Sequence, residues 1–198
     1  MKRKLALSAV LLVSGLAFGS SAMAETASPS MLGYTCAGCH GTNGNSNGPA
    51  TPSLAGASKD YIIDAMEYYA TGDRVSTIMG RIAKGYSKEE VKAIAEFFSN
   101  QKFIPAKGQK FDPALAKKGA KLHDKYCEKC HADGGTSSED DAGILAGQWT
   151  PYLRYTLADM QSGKSHMPKK MKKKLKKLHK KAGDAGIEKL INFYASRK

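Results

Sequence analysis

The sequence has few cysteines, and none of them is free for another role. Its 198 residues contain 4 cysteines, all in two Cys-x-x-Cys pairs, so none remains for a structural disulfide or a lone reactive thiol. The sequence has no glycine-rich dinucleotide fingerprint and no alternating apolar and polar pattern typical of strands. Beyond the N-terminus it has no apolar run long enough to cross a bilayer. These absences argue against a disulfide-stabilised fold, a flavin-binding domain and a membrane-spanning protein.

The cysteines lie in two copies of one pentapeptide. The first copy is Cys36-Ala-Gly-Cys39-His40, and the second is Cys127-Glu-Lys-Cys130-His131. C-x-x-C-H is the pattern of covalent c-type haem attachment. Two thiols at this spacing reach both vinyl groups on one porphyrin edge, and the adjacent histidine binds the iron. We therefore predict two covalent haem c groups, with four thioether cysteines and with His40 and His131 as iron ligands.

Other uses of paired cysteines fit less well. Zinc sites with two Cys-x-x-Cys pairs usually separate them by roughly 15–20 residues, whereas these pairs start 91 residues apart, at Cys36 and Cys127. A thioredoxin-like pair expects a βαβ context and occurs once in a domain. Neither context is present, so haem attachment is the preferred interpretation.

Residues 1–24 have the pattern of a cleaved signal peptide. Lys2, Arg3 and Lys4 precede an apolar stretch from Leu5 to Phe18, and Ala22-Met23-Ala24 resembles a cleavage site. The alternative is a membrane anchor, but the apolar run is shorter than the roughly 20 residues of a spanning helix. We expect a mature protein without a membrane span in the periplasm. Its formal charge falls from +13 to +10 on cleavage. The remaining positive charge suggests an acidic protein partner or an anionic surface.

An internal repeat divides the mature chain. A shift of 91 residues superposes the haem motifs, Leu54-Ala55-Gly56 on Leu145-Ala146-Gly147, and Tyr61-Ile62 on Tyr152-Leu153. Phe97-Phe98 corresponds more loosely to Phe193-Tyr194. The composition of 101–113 is typical of a linker. We predict two homologous domains, residues 25–105 and 106–198, each with one haem.

Helical signals occur in both domains. Predicted helices follow Ser28, lie over Lys59–Tyr69, and begin at a Ser87–Glu90 capping box. In the second domain, Asp112 precedes a proline at the first position of a helix, and Asp184 is a candidate cap for the last helix. The predicted fold class is all-α.

A haem iron held by one histidine has a sixth position for another ligand. In the first domain we assign it to Met79, which follows a glycine turn, and we assign Met66 to the core. In the second domain the shift carries Met79 to position 170, which favours Met171, with Met167 as the alternative. His166 is a third possibility and would give a bis-histidine centre. We place His123 and His179 on the surface.

Several segments resemble known cytochromes. Pro52-Ser-Leu-Ala-Gly56 resembles the Pro-x-Leu-x-Gly segment of class I cytochromes c, whose proline carbonyl accepts a hydrogen bond from the haem histidine. The resemblance implies this role for Pro52. The repeat has Gly143 at the equivalent position, so His131 is left without an assigned partner.

A larger resemblance covers nearly all of the mature chain. Residues 35–46, 76–86, 119–131 and 144–153 are similar to the dihaem cytochrome subunit of flavocytochrome c sulfide dehydrogenase and, more distantly, to cytochrome c4. This resemblance implies two tandem class I cytochrome c domains about a pseudo-twofold axis, His/Met ligation, and a separate FAD-containing subunit that oxidises sulfide. On it, the chain is an electron-transfer subunit and not an enzyme on its own.

Two alternative functions stay open. A free-standing c4-like carrier would pass electrons to a terminal oxidase, and a dihaem peroxidase would need an open sixth position on one iron. The expected partners are a flavoprotein subunit and a soluble cytochrome or other acidic redox protein, with no nucleic acid. A lysine-rich run, Lys164–Lys181, is interpreted first as a solvated face and second as a docking site for an acidic partner.

Overall fold

A computed structural model describes residues 27–139 and 142–197 and shows helices joined by loops, with no strand in those ranges. The predicted signal peptide, residues 1–24, lies outside them. The all-α prediction is confirmed. In chain order the helices are α1 (Pro29–Tyr34), α2 (Ala37–His40), α3 (Lys59–Thr71), α4 (Met79–Ile82), α5 (Lys88–Ser99), α6 (Pro113–Tyr126), α7 (Ala132–Gly135), α8 (Thr150–Gln161) and α9 (Lys169–Ser196). A 3-10 turn, Ala83–Gly85, joins α4 to α5.

Side-chain caps begin several of the helices. At α6, the Asp112 carboxylate accepts from two backbone N–H groups, and at α5, Ser87 and Glu90 form both hydrogen bonds of a capping box. Both of these predicted caps are confirmed. The Ser28 hydroxyl also accepts from Met31 N–H at the short helix α1. Each cap satisfies N–H groups that have no partner within the helix.

The last helical arm begins where it was predicted. α9 consists of two helical arms that meet at a break, where Gly183 has non-helical backbone angles (φ 57°, ψ −159°). The second arm starts directly after this break, at Asp184, and the first arm begins at Lys169. The arm of α9 before the break carries most of the lysine-rich run, and Leu178 in this arm is fully buried in the second core. Burial of this apolar side chain stabilises a helical arm whose lysines would favour a less compact chain.

The repeat is visible in equivalent hydrogen bonds. Gly44 O accepts from the N–H groups of Leu54 and Ala55, and 91 residues later Gly135 O accepts from Leu145 and Ala146. Gly56 N–H donates to Phe98 O in one domain, and Gly147 N–H donates to Tyr194 O in the other. The predicted internal repeat therefore holds at the level of individual contacts.

Glycine permits the close approach of the first and last helices in each domain. A Cβ on Gly33 in α1 would lie 2.2 Å from the Phe97 ring in α5, and a Cβ on Gly119 in α6 would lie 2.0 Å from Lys189 O in α9. Phe97 and Phe193 are both buried at these crossings. Any larger residue at either glycine would force the two helices apart.

The two domains meet through buried polar contacts. Ser53 N–H donates to Gln148 Oε1 at 2.9 Å, and Gln148 Nε2 donates to Ser53 O at 2.9 Å. Trp149 Nε1 donates to Ser46 O at 3.0 Å. Gln148 is 4% exposed and Ser53 is 8% exposed, so neither backbone group of Ser53 has water as a ready alternative.

Several contacts join equivalent parts of the two repeats. Tyr61 hydrogen-bonds Tyr152, its own counterpart at a shift of 91 residues. Nearby, His166 N–H donates to Asp73 O at 2.7 Å, and Val75 N–H donates to Ser165 Oγ at 3.1 Å. Contact between a residue and its own equivalent is expected near the axis of a twofold interface. This contact agrees with the pseudo-twofold arrangement that the resemblance implies.

Replacing Gln148 tests the interface. In Gln148→Ala, the buried N–H and C=O of Ser53 both lose their partner, so we expect the free energy of unfolding to fall by about 2–4 kcal/mol. Urea denaturation of the haem-loaded protein, followed by far-UV circular dichroism, measures the loss. Gln101→Ala is the matched control, because the side chain of Gln101 donates to Phe97 O inside the first domain and not across the interface. An equal loss in both variants would contradict this role of Gln148.

Candidate haem-binding sites

Both C-x-x-C-H segments fold into the same tight turn. His40 N–H donates to Cys36 O at 2.9 Å, and His131 N–H donates to Cys127 O at 3.0 Å. This i to i+4 hydrogen bond puts the two sulfurs and the imidazole on one side of a single helical turn. All four thiols are free, with the first of each pair half-buried and the second exposed. Two open thiols beside a histidine fit the attachment of a porphyrin edge.

The first histidine is buried and held by one hydrogen bond. His40 is 7% exposed, and its Nδ1 lies 2.8 Å from Pro52 O. Since the carbonyl can only accept, Nδ1 carries the proton and Nε2 keeps its lone pair for a metal. Burial lowers the pKa of His40, although the hydrogen bond to Pro52 opposes this shift. The neutral imidazole that iron requires is therefore favoured.

The second histidine is held less firmly. Burial also lowers the pKa of His131, while the carbonyl of Gly143 opposes the shift and the charge of His123 adds to it. Gly143 is the repeat counterpart of Pro52, so the carbonyl on this side comes from the equivalent position. However, no group in the described residues reaches hydrogen-bond geometry with Nδ1 of His131. The two histidines thus differ in whether a hydrogen bond holds the ring.

The methionine positions also differ between the domains. Met79 is the first residue of α4, is half-buried, and packs against the first core. Met66 is buried in that core, as predicted. Met171 is the third residue of α9, whereas Met167 precedes that helix, and both are half-buried. His166 stacks its ring on Tyr68 of the first domain, with ring centres 4.9 Å apart, so the imidazole packs at the domain interface.

The carbonyls behind the two histidines lie in one cleft between the domains. Pro52 and Gly143 both line it, together with Gln148 and the paired Tyr61 and Tyr152. The two C-x-x-C-H turns therefore have their histidine sides directed toward the domain interface. The thiols and the neutral imidazoles fit two haem groups. This is the arrangement of donors expected where electrons pass between two centres in one chain.

Comparison with known proteins gives the same assignment for both halves. The family model for cytochrome c matches residues 29–102, and the model for subunit III of cbb3-type cytochrome c oxidase matches residues 114–192. Cytochrome c4 of Stutzerimonas stutzeri is 31% identical over 171 residues, which cover 75% of this chain and 80% of that protein. The chain belongs to the cytochrome c4 family.

Two further matches refine its place among dihaem cytochromes. The crystal structure of reduced recombinant cytochrome c4 from Pseudomonas stutzeri superposes with a TM-score of 0.72 at 26% identity, covering 86% of this chain and 97% of that one. The cytochrome subunit of sulfide dehydrogenase from Chlorobaculum tepidum is 51% identical over 70 residues, which cover 35% of this chain and 63% of that protein. The chain is thus a dihaem electron-transfer cytochrome related to both groups. No helix in the described residues is long and apolar enough to cross a membrane.

His123 corrects one prediction. We expected it on the surface, but it is fully buried beside the second haem-binding turn of this c4-family protein. Its Nδ1 lies 2.9 Å from the Tyr194 hydroxyl, and its Nε2 lies 2.7 Å from Glu128 Oε2. Tyr194 also contacts the Cys127 sulfur. These two hydrogen-bond partners offset the free-energy cost of burying the imidazole. The sequence around His123 alone does not indicate that they are there. His179 is exposed, as predicted.

Glu128 completes this network inside the haem motif itself. Its carboxylate accepts from the N–H groups of Asp133 and Gly134 as well as from His123. Burial would raise the pKa of Glu128, but these hydrogen bonds outweigh it and lower the pKa below its ordinary value of 4.5. The carboxylate is therefore ionised at neutral pH. It holds the loop that follows His131 against α6.

The first domain has an apolar group where the second has this network. Shifting back by 91 residues, His123 corresponds to Leu32 and Glu128 to Ala37, while Phe98 takes the place of Tyr194. Leu32 and Phe98 are both buried. The repeat alignment thus contained a usable signal, since three apolar positions become polar together in the second copy.

The first domain suggests how to test the network. His123→Leu leaves the buried Tyr194 hydroxyl without its ring partner, so we expect a loss of about 1–3 kcal/mol in the free energy of unfolding. Adding Tyr194→Phe restores the apolar pairing of the first domain and should recover part of that loss. Urea denaturation gives both values. His179→Leu, at an exposed position, should change stability by less than about 0.5 kcal/mol. If the double variant had a lower free energy of unfolding than His123→Leu alone, this explanation would be wrong.

Proposed function

We propose that this chain is the dihaem subunit that accepts electrons from an FAD-containing sulfide-oxidising subunit and passes them to a soluble acceptor in the periplasm. The observation that carries the proposal is the pair of equivalent C-x-x-C-H turns with their histidine sides toward one interdomain cleft. The likeness to a sulfide dehydrogenase cytochrome subunit supports the choice of electron donor. A bound haem c supplies a one-electron iron couple at each site.

The residues of the chain have distinct roles in this proposal. Cys36, Cys39, Cys127 and Cys130 hold the two haems covalently, and His40 and His131 bind their irons. Pro52 orients the His40 ring through the hydrogen bond to Nδ1. The interface between the domains fixes the two sites relative to one another, so electrons can pass between them without domain motion.

We further propose Met79 and Met171 as the sixth ligands. Met79 is the first residue of α4, the helix after α3, and Met171 is the third residue of α9, the helix after α8. Met167 lies before α9 and next to Pro168. A methionine thioether bound to each iron would raise its reduction potential, which would suit acceptance of electrons from a flavin. Neither iron would then have the open position that a peroxidase needs.

Methionine variants test this ligand assignment. In Met171→Ala, we expect the red absorption band of a methionine-ligated ferric haem to fall to half its intensity, because one of two such haems loses its thioether. Met167→Leu should leave the band unchanged. The measurement is the absorption spectrum of the oxidised haem-loaded protein. The reverse pattern would assign Met167 as the ligand.

Purification of the native complex tests the partner. From sulfide-grown cells of the source organism, we expect the chain to co-purify with a flavoprotein, and added sulfide should reduce both haems in the complex. A second function, a free-standing electron carrier, is favoured by the longer match to cytochrome c4. Elution of the chain alone, with no flavin absorbance in its fractions, would support the carrier instead.

A further inference from the structure

The net positive charge of the predicted mature chain comes from one segment. Residues 164–181 contain ten lysines and no aspartate or glutamate. Of the 31 basic residues in the sequence, three lie in residues 1–24 and ten in this segment, and the remaining 18 equal the 18 acidic residues. Outside the segment, the predicted mature chain is therefore formally neutral. We name residues 164–181 the lysine arm.

The lysines of the arm are free to meet a partner. All ten are exposed, and no ion pair in the described residues includes any of them. The apolar residues of the arm face the other way, since Leu178 is fully buried and Leu175 packs against the second core. The outward face of the arm is therefore charged, with no exposed apolar stripe.

This charge does not serve the helix that carries it. Lys169, Lys170 and Lys172 lie in the first turn of α9, where positive charge opposes the helix dipole. Lysines at i and i+4, such as Lys169 and Lys173 or Lys172 and Lys176, repel one another. No acidic residue in the first turn compensates. Burial of Leu178 holds the arm helical against these effects, so the lysines have a role other than stability.

The arm lies beside the second haem-binding turn. Leu175 and Cys127 pack against the same core cluster. Burial raises the pKa of the Cys127 thiol, whereas the Tyr194 hydroxyl and the ammonium group of Lys174 both act to lower it. A protein held on the outer face of the arm would therefore sit close to the second haem site.

The first domain has no counterpart of this surface. The equivalent residues, 73–90, contain four basic side chains and three acidic ones, a formal charge of +1 against +10 for the arm. The net positive charge of the chain therefore lies in its second half. An uneven distribution of charge orients a charged partner during approach.

We propose that the lysine arm is the docking surface for an acidic redox protein and directs that protein to the second domain. This deepens the proposed function, on which it rests, by naming the chemistry of the soluble partner and the domain that receives it. The alternative occupant of a basic surface is an anionic membrane. Membrane-surface helices insert an apolar face, and the apolar face of this arm is already buried in the second core.

Binding of a plant-type ferredoxin, a small acidic redox protein, tests the proposal. With the haem-loaded protein at low salt, Lys172→Gln/Lys173→Gln/Lys174→Gln should weaken ferredoxin binding by about tenfold, and high salt should abolish the difference. Glutamine keeps helix propensity close to that of lysine, so the variant should fold. Isothermal titration calorimetry gives the affinities.

The matched control removes the same charge elsewhere. Lys84→Gln/Lys88→Gln/Lys92→Gln changes exposed lysines of the first domain and should weaken binding by less than about twofold. Lysine acetylation followed by mass spectrometry should show that ferredoxin protects the lysines of the arm more than it protects Lys84, Lys88 and Lys92. Equal losses in the two variants, or protection spread over all lysines, would overturn the proposal.

Binding to lipid vesicles tests the alternative, an anionic membrane. Phosphatidylcholine vesicles with and without phosphatidylserine are pelleted with each variant. Serine-lipid binding that depends on Lys172–Lys174, together with ferredoxin affinity that does not, would overturn the proposal in favour of a membrane. No flavoprotein takes part in these measurements, so the docking surface and the sulfide-oxidising partner can fail separately.

Discussion

The architecture depends on one hydrogen bond in each haem motif. The backbone N–H of the histidine donates to the backbone carbonyl of the first cysteine. This bond forces Cys36, Cys39 and His40 onto one turn, and the same bond does so for the second motif. A porphyrin bound at that turn must be enclosed by the rest of the domain. The helices of each domain are therefore arranged around the turn. The crossing of the first and last helices at Gly33 and Gly119 then closes each domain.

Duplication of this unit produced two sites that are alike in attachment and unlike in support. His40 has a well-formed hydrogen bond to Pro52 O, whereas Nδ1 of His131 faces the Gly143 carbonyl without one. The first core seals its haem side with apolar groups, and the second places His123, Glu128 and Tyr194 there. Histidine orientation and the polarity around a haem are both means by which a protein tunes an iron. Two centres of different potential are the expected result.

The elements that sequence could predict are those governed by local chemistry. The haem turns follow from a five-residue pattern, and the Ser87 and Asp112 caps follow from side chains next to the backbone groups that they satisfy. The equivalence of Tyr61 and Tyr152 was visible in the repeat, but their contact was not, because it depends on how the domains dock. Burial of His123 was missed because its partner Tyr194 is 71 residues away, and their contact depends on how α6 packs against α9. Ligation by Met79 and Met171 and the domain boundary at residue 105 stay predictions.

The distribution of charge connects the asymmetry of the sites to the direction of electron flow. A chain that is neutral except for one lysine-rich arm presents two different faces to its surroundings, and the helical part of the arm packs against the core of the second domain. Long-range attraction brings an acidic partner to that domain, whereas the neutral domain must be recognised by shape and short-range contacts. A transient acceptor suits the charged face, because electrostatic docking is fast and is weakened by salt. A stable subunit suits the neutral domain. Together with the proposed docking at the arm, this difference in charge predicts that electrons enter through the first domain and leave through the second.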